Sequence, residues 1–166
     1  MPDTAASSNP RVATGLMVAT YVVGAAGIAV GFGTVTAEPP SLSLACLLAV
    51  GAAGLLSFLR HSIFHRSDAV RMGWDLGARN NFQIEVGLAN LAWGLTGVLS
   101  VVLGWGIRAQ AATFLTFGIY LLAVAAMQAI SPGGKRRSLA PMIALFMFGL
   151  MLSVLGTIAL QGSTPV

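Results

Sequence analysis

The segment FQIEVGLANLAWGLTGVLSVVLGWG, residues 82–106, decides the fold class, because Glu85 is its only charged residue. About 20 apolar residues in a helix are enough to cross a hydrocarbon core of about 30 Å. Four further apolar stretches, at 13–33, 41–59, 109–130 and 139–161, approach or exceed the same length. The reading is an all-α integral membrane bundle of five transmembrane spans in one domain covering 13–161. It is preceded by a disordered arm at 1–12 and followed by a short external tail at 162–166. Only 8% of the 166 residues are charged, against about a quarter in a soluble domain, so there is too little charge to cover a water-facing globule.

Charge then orients the bundle. With five crossings, the arm and the connections 60–81 and 131–138 share one side. That side holds Arg11, Arg60, Arg66, Arg71, Arg79, Lys135, Arg136 and Arg137, leaving only Arg108 of the nine basic residues on the other. Basic residues stay on the cytoplasmic side, so the N-terminus is expected inside and the C-terminus outside, in the cell membrane. The net charge of +4 suits contact with anionic membrane lipids. No basic surface interleaved with polar and aromatic readers is present, so nucleic acid is not an expected partner. Cys46, the only cysteine, allows no intramolecular disulfide. The first stretch exceeds a signal-peptide core and is read as a retained span.

Small residues punctuate the spans. Gly27 and Gly31 form a Gly-x-x-x-Gly pair in the first, and Ala45, Ala49, Ala53 and Ser57 form a ridge in the second. The turn Glu38-Pro39-Pro40 ends the first crossing. Within 60–81, Ser67 is a candidate N-cap for a short interfacial helix ended by Gly73, with Trp74 as a headgroup anchor. Asn80 and Gln83 resemble a capping box opening the third span. Residues 104–108 allow only an antiparallel hairpin, and Ser131-Pro132-Gly133-Gly134 stops the fourth span. Ser138 and Pro141 suit the start of the fifth, which carries Gly149, Ser153 and Gly156.

On a helical wheel the third span has three faces. One is greasy (Leu88, Leu91, Leu95, Leu99), one is nearly all small (Gln83, Gly87, Asn90, Gly94, Gly97, Gly104), and one is small or polar (Glu85, Ala89, Ala92, Thr96, Ser100). Two small faces predict a helix wedged between neighbours, the core of the bundle. The run Phe82-Gln83-Ile84-Glu85-Val86-Gly87-Leu88-Ala89-Asn90, with Gly73-Trp74 before it and Gly94 after, resembles a family of small bacterial multi-pass membrane proteins of unknown function. The resemblance extends from the end of the second span into the fourth, and departs where Arg60-His61 stands in place of a Gly-His pair. It implies a helical membrane bundle and no particular activity.

Glu85 is the one acid within a span, near the cytoplasmic end of the third, where the helix dipole favours a carboxylate. A structural ion pair is its default role. His61 and His65, four apart, share a face if the second helix continues past Arg60, and with Glu85 or Asp68 could hold a metal. Buried Asn90 and Gln128 need hydrogen-bond partners. Thr113, Thr116 and Tyr120 read as packing contacts on the fourth span, and Trp93 as a space-filler in the third. His61, Glu85, Asn90 and Gln128 all fall in the inner half of the bilayer, so the expected site is a dead-end polar pocket open to the cytoplasm. No catalytic set is read, since no Ser or Cys has an identifiable base, and no cofactor is specified.

The expected role is structural or binding: an accessory membrane subunit, with a homo-oligomer or a partner membrane protein as company. The alternatives are a small-molecule or ion transporter and a membrane-embedded metal or redox enzyme. Reporter fusions to the two termini should report opposite compartments, the N-terminal one cytoplasmic. Both reporters on one side would overturn the five-span map.

Overall fold

The computed structural model describes residues 8–73, 75, 77, 79–130 and 139–162. Trp74, the stop at 131–134, the basic residues 135–137, Ser138, the tail from 163 and residues 1–7 of the arm lie outside the described residues. Five helices are long and apolar enough to cross a membrane: α1 (Pro10–Thr34), α2 (Ser43–Ile63), α4 (Asn81–Val102), α5 (Ile107–Ile130) and α6 (Leu139–Gly162). A short helix, α3 (His65–Met72), joins α2 to α4.

Each boundary has a local cause. α1 begins at Pro10, inside the stretch expected to be disordered: the Asn9 side chain accepts from Arg11 N at 3.0 Å, and proline already has the helical φ. Gly73 ends α3 at φ +73°, a left-handed conformation that costs glycine nothing. Asn80 caps α4 by accepting from Gln83 N at 3.1 Å, but the Gln83 side chain does not reach back to complete a capping box; it bonds Asp68 instead. α4 stops at Val102, short of the expected 106, and turns into α5 through Gly104 and Gly106, both at positive φ. Ser67 is no cap: α3 starts two residues earlier, and its hydroxyl accepts from Asn9 N at 3.0 Å, tying the foot of α1 to α3.

α2 is not a regular helix. Over Leu47–Ala52 and Leu59–Ile63 its turns widen to the π form, Phe64 N bonding Leu59 O five residues back at 2.8 Å. Each wide turn rotates the faces that follow it. At Phe64 the backbone leaves the helix (φ −100°, ψ 28°), so His61 and His65 belong to different helices.

The core element is α2, not the span at 82–106. In its most apolar 18 residues 44% are buried, against 28% for α4. The small face of α4 (Gln83, Gly87, Asn90, Gly94, Gly97) is buried against α2, while Glu85, Ala92 and Thr96 of its third face are exposed with the greasy arc. The main close interface of α4 is with α2, and α2 packs against α1 and α5 as well, while α6 rests on α5 and α1. Gly27 of α1 backs onto Ala49 of α2, and Gly31 onto Leu155 of α6 and Ala45 of α2. α5 and α6 form a tight pair through Gly118, Gly149 and Gly156, with Phe117 and Phe148 edge to face at 6.3 Å. Between the groups lies the core of Leu42, Val50, Phe114, Leu152 and Leu155, each 0% exposed.

Gly54 shows how close the α2–α4 approach is. A Cβ there would stand 2.8 Å from both Asn90 O and Gly94 Cα, backbone atoms that cannot step aside. Gly54→Ala is therefore expected to cost roughly 1–3 kcal/mol by overpacking. Gly15, with nothing within 4 Å, should tolerate alanine or gain up to about 1 kcal/mol of helix stability. Thermal melts of the two variants in detergent check this; equal melting would deny the close crossing.

Candidate functional site

The charged centre of the molecule is Asp68, which is 0% exposed. α3 lies across the end of α2, and Asp68 points inward from its first turn. Arg71, one turn on, donates twice to Oδ1, from Nη2 at 2.7 Å and Nε at 2.9 Å. Gln83, from the first turn of α4, donates to Oδ2 at 3.0 Å. His61 Nδ1 comes within 3.1 Å of Oδ2, and Arg60 Nε within 4.0 Å of Oδ1. Three elements thus converge on one carboxylate.

Donor roles fix the state of His61. Arg60 Nη2 lies 2.7 Å from His61 Nε2, and a guanidinium can only donate. Nε2 is then the acceptor, and the ring proton sits on Nδ1, facing Asp68. His61 is neutral in this arrangement, which leaves two guanidinium groups around one carboxylate and a surplus of one positive charge.

Burial pushes the Asp68 carboxyl upward. The His61 contact, the positive charge of Arg60 and the hydrogen bonds from Arg71 together outweigh it and hold the group at about 2.

The pocket residues expected from the sequence are not gathered together. Of the four, only His61 meets Asp68. Glu85 is exposed on the side of α4 turned away from α2. Asn90 is buried higher on α4, donating to Val86 O at 2.8 Å and approaching the Tyr120 hydroxyl. Gln128 is half-buried near the end of α5. The reason is angular: Glu85 is two residues from Gln83, about 200° around the helix, so only one of them can face α2. The polar groups that do meet at this end gather on Asp68.

The two histidines are engaged separately, His65 Nδ1 with Ser62 O at 3.0 Å and His61 within the cluster. Among the described residues no three His, Cys, Asp or Glu side chains are grouped as metal ligands would be. A groove of about 250 Å³ opens at the other end, between α4 and α5, lined by Trp93, Thr96, Trp105, Ala109, Ala112, Thr113 and Thr116. Its lining is almost entirely apolar and holds none of the expected pocket residues. Asp68 entered the sequence reading only as a possible metal ligand. The Asp68-x-x-Arg71 spacing of a helical ion pair was the signal that could have raised it.

Large apolar side chains face outward along the spans, among them Val22 (62% exposed), Leu88 (51%), Ile119 (60%) and Ile143 (55%). Such a surface is suited to lipid, and with five spanning helices it marks a multi-pass membrane protein. Residues 40–161 match the model of a family of unknown function, DUF6790, and the chain belongs to that family. The match runs from the start of α2 almost to the end of α6, further in both directions than the resemblance read from the sequence. No curated protein and no solved structure matches the chain.

Asp68→Asn keeps the shape but leaves both arginines without a counter-charge, and should cost about 3–5 kcal/mol. Because the folded carboxyl is depressed from 3.8 to about 2, its contribution to stability is complete above the unfolded value and is lost as pH falls from about 4 to about 2. Melts across pH 2–7 should show that loss in the wild type and not in Asp68→Asn. Parallel acid profiles would mean that the carboxylate is not held by charge.

Proposed function

We propose that the chain is a structural and binding protein of the cytoplasmic membrane, an accessory subunit rather than a carrier, with α3 and the N-terminus on the cytoplasmic side. The Asp68 cluster is its fixed point. It clamps an interfacial helix to the ends of α2 and α4 and presents a rigid cationic surface to whatever the protein holds.

The observation supporting this reading is the saturation of Asp68. A proton- or ion-coupled carrier needs an acid that gains and releases its proton near working pH and that reaches water. Asp68 has a side chain 1% exposed, hydrogen bonds from Arg71 and Gln83, His61 and Arg60 within 3.1 and 4.0 Å, and a carboxyl held at about 2. A group so thoroughly engaged suits anchorage.

Proteoliposomes test the choice. The wild type should give no proton or solute flux above empty vesicles, and Asp68→Asn should lower the melting temperature. Robust flux, abolished in an Asp68→Asn protein that still melts like the wild type, would replace this reading with a transporter.

A further inference from the structure

We propose that the outward side of the Asp68 cluster binds the phosphate of an anionic phospholipid headgroup. The inference rests on reading the cluster as a fixed element at the bilayer surface.

Charge is the first argument. Arg60 and Arg71 share one carboxylate, and His61 contributes no charge while its Nε2 accepts from Arg60. One positive charge is therefore left without a partner in a half-buried position, where an uncompensated ion is unfavourable. The exposed sides of the cluster are also cationic: the Arg60 and Arg71 side chains are 15% and 21% exposed, while Asp68 is 1%. The neutral His61 ring is 18% exposed beside them, so what can be approached from outside is two guanidinium groups and one imidazole.

Depth is the second. Around the cluster stand Ile63 (59% exposed), Phe64 (37%), Met72 (36%) and Phe82 (69%). They lie at the end of α2, at both ends of α3 and at the start of α4. Large apolar side chains ringing a polar cluster at a helix end enter the acyl region and leave the cluster level with the headgroups. The anion concentrated at that depth is lipid phosphate, and an anionic headgroup adds the net charge that a zwitterionic one lacks.

Donors are the third. A guanidinium presents its N–H groups as a flat fork that matches two phosphate oxygens. Among the described residues, Arg60 Nε and Arg66 Nε are buried with no hydrogen-bond acceptor. Arg66 stands two residues before Asp68, about 200° around α3, so its unmet donor belongs to the same end of the bundle but to the other face of that helix, and Arg60 supplies the unmet donor of the cluster itself.

The test uses the purified full chain in a nonionic, lipid-free detergent, titrated with phosphatidylglycerol, phosphatidylcholine or inorganic phosphate. Phosphatidylglycerol should raise the melting temperature by about 3–6 °C at tenfold over its Kd, saturably. Phosphatidylcholine should do markedly less, and inorganic phosphate at the same concentration nothing. Arg60→Gln, which leaves Arg71 and Gln83 on Asp68, should weaken the response about tenfold. Arg60→Lys should retain part of it, and Arg108→Gln, at the opposite end, all of it. Equal responses to the two lipids, or an undiminished response in Arg60→Gln, would overturn the proposal. A full response to inorganic phosphate would show a free-anion site and overturn the lipid assignment. If Arg60→Gln does not fold, the comparison of the two lipids on the wild type decides alone. Failure here leaves an unstable Asp68→Asn protein unexplained by lipid and the clamp intact; an Asp68→Asn protein as stable as the wild type would remove the clamp itself.

Discussion

The approach of α2 to α4 at backbone distance governs the rest of the structure. Between apolar helices in lipid there is no hydrophobic gain from contact, so association depends on close packing and on hydrogen bonds. Gly54 of α2 faces Gly94 of α4, where a Cβ added to either would meet backbone atoms of the other helix at 2.8–3.0 Å. A contact that tight permits one register. The helices run in opposite directions, and Ser62 meets Gly87, its hydroxyl donating to Ile84 O at 3.0 Å. Gln83 then stands one turn further along, at the level where α2 ends and α3 crosses. The side-chain bond from Gln83 to Asp68 is the consequence of glycines about 16 Å away along α4.

Much of this framework was legible in the sequence. The five spans follow from hydropathy alone, and local chemistry specifies the cap at Asn80, the stop at Gly73 and the tight turn at 104–106. The small face of the third span could be listed residue by residue from 100° spacing, because α4 is a regular helix. The same spacing fails for α2, where two π turns shift the faces, and periodicity carries no mark of a widened turn. The histidine pair failed for that reason: four residues apart, with a helix break between them. The central role given to α4 failed differently. A small face can pack against a neighbour, but it does not establish how many neighbours there are.

Glu85 and Asp68, at this end of the bundle, make a further point. Glu85 stands inside an apolar stretch, yet it is exposed. It lies in the second turn of α4, close to the positive end of the helix dipole, and its longer side chain can extend toward the headgroups. Asp68 stands in the most polar connection of the chain and is fully buried. Its short side chain cannot reach water once α3 lies across the bundle, so the surrounding groups had to be donors. Hydropathy reports the average environment of a segment, and α3 is a polar helix with one inward face. The residues that matter there are the ones whose partners come from elsewhere in the chain, and those partners depend on the α2–α4 register.

The arginines of this end then carry two roles. In the proposed orientation, the basic residues of 60–81 keep that connection on the cytoplasmic side during insertion, a role in which their charges count individually. In the folded bundle Arg60 and Arg71 are drawn to Asp68, while Arg79 stays exposed. An acid close to its basic partners would weaken a topology signal if net charge set it, but Asp and Glu count little in that signal. One short connection can therefore hold Asp68 beside four arginines, orient the chain while it inserts, and afterwards use the same guanidinium groups to fasten α3. In the proposed orientation the surplus of four arginines over Asp68 and Asp75 serves the first role, and in the proposed lipid contact the same surplus is what attracts the anion.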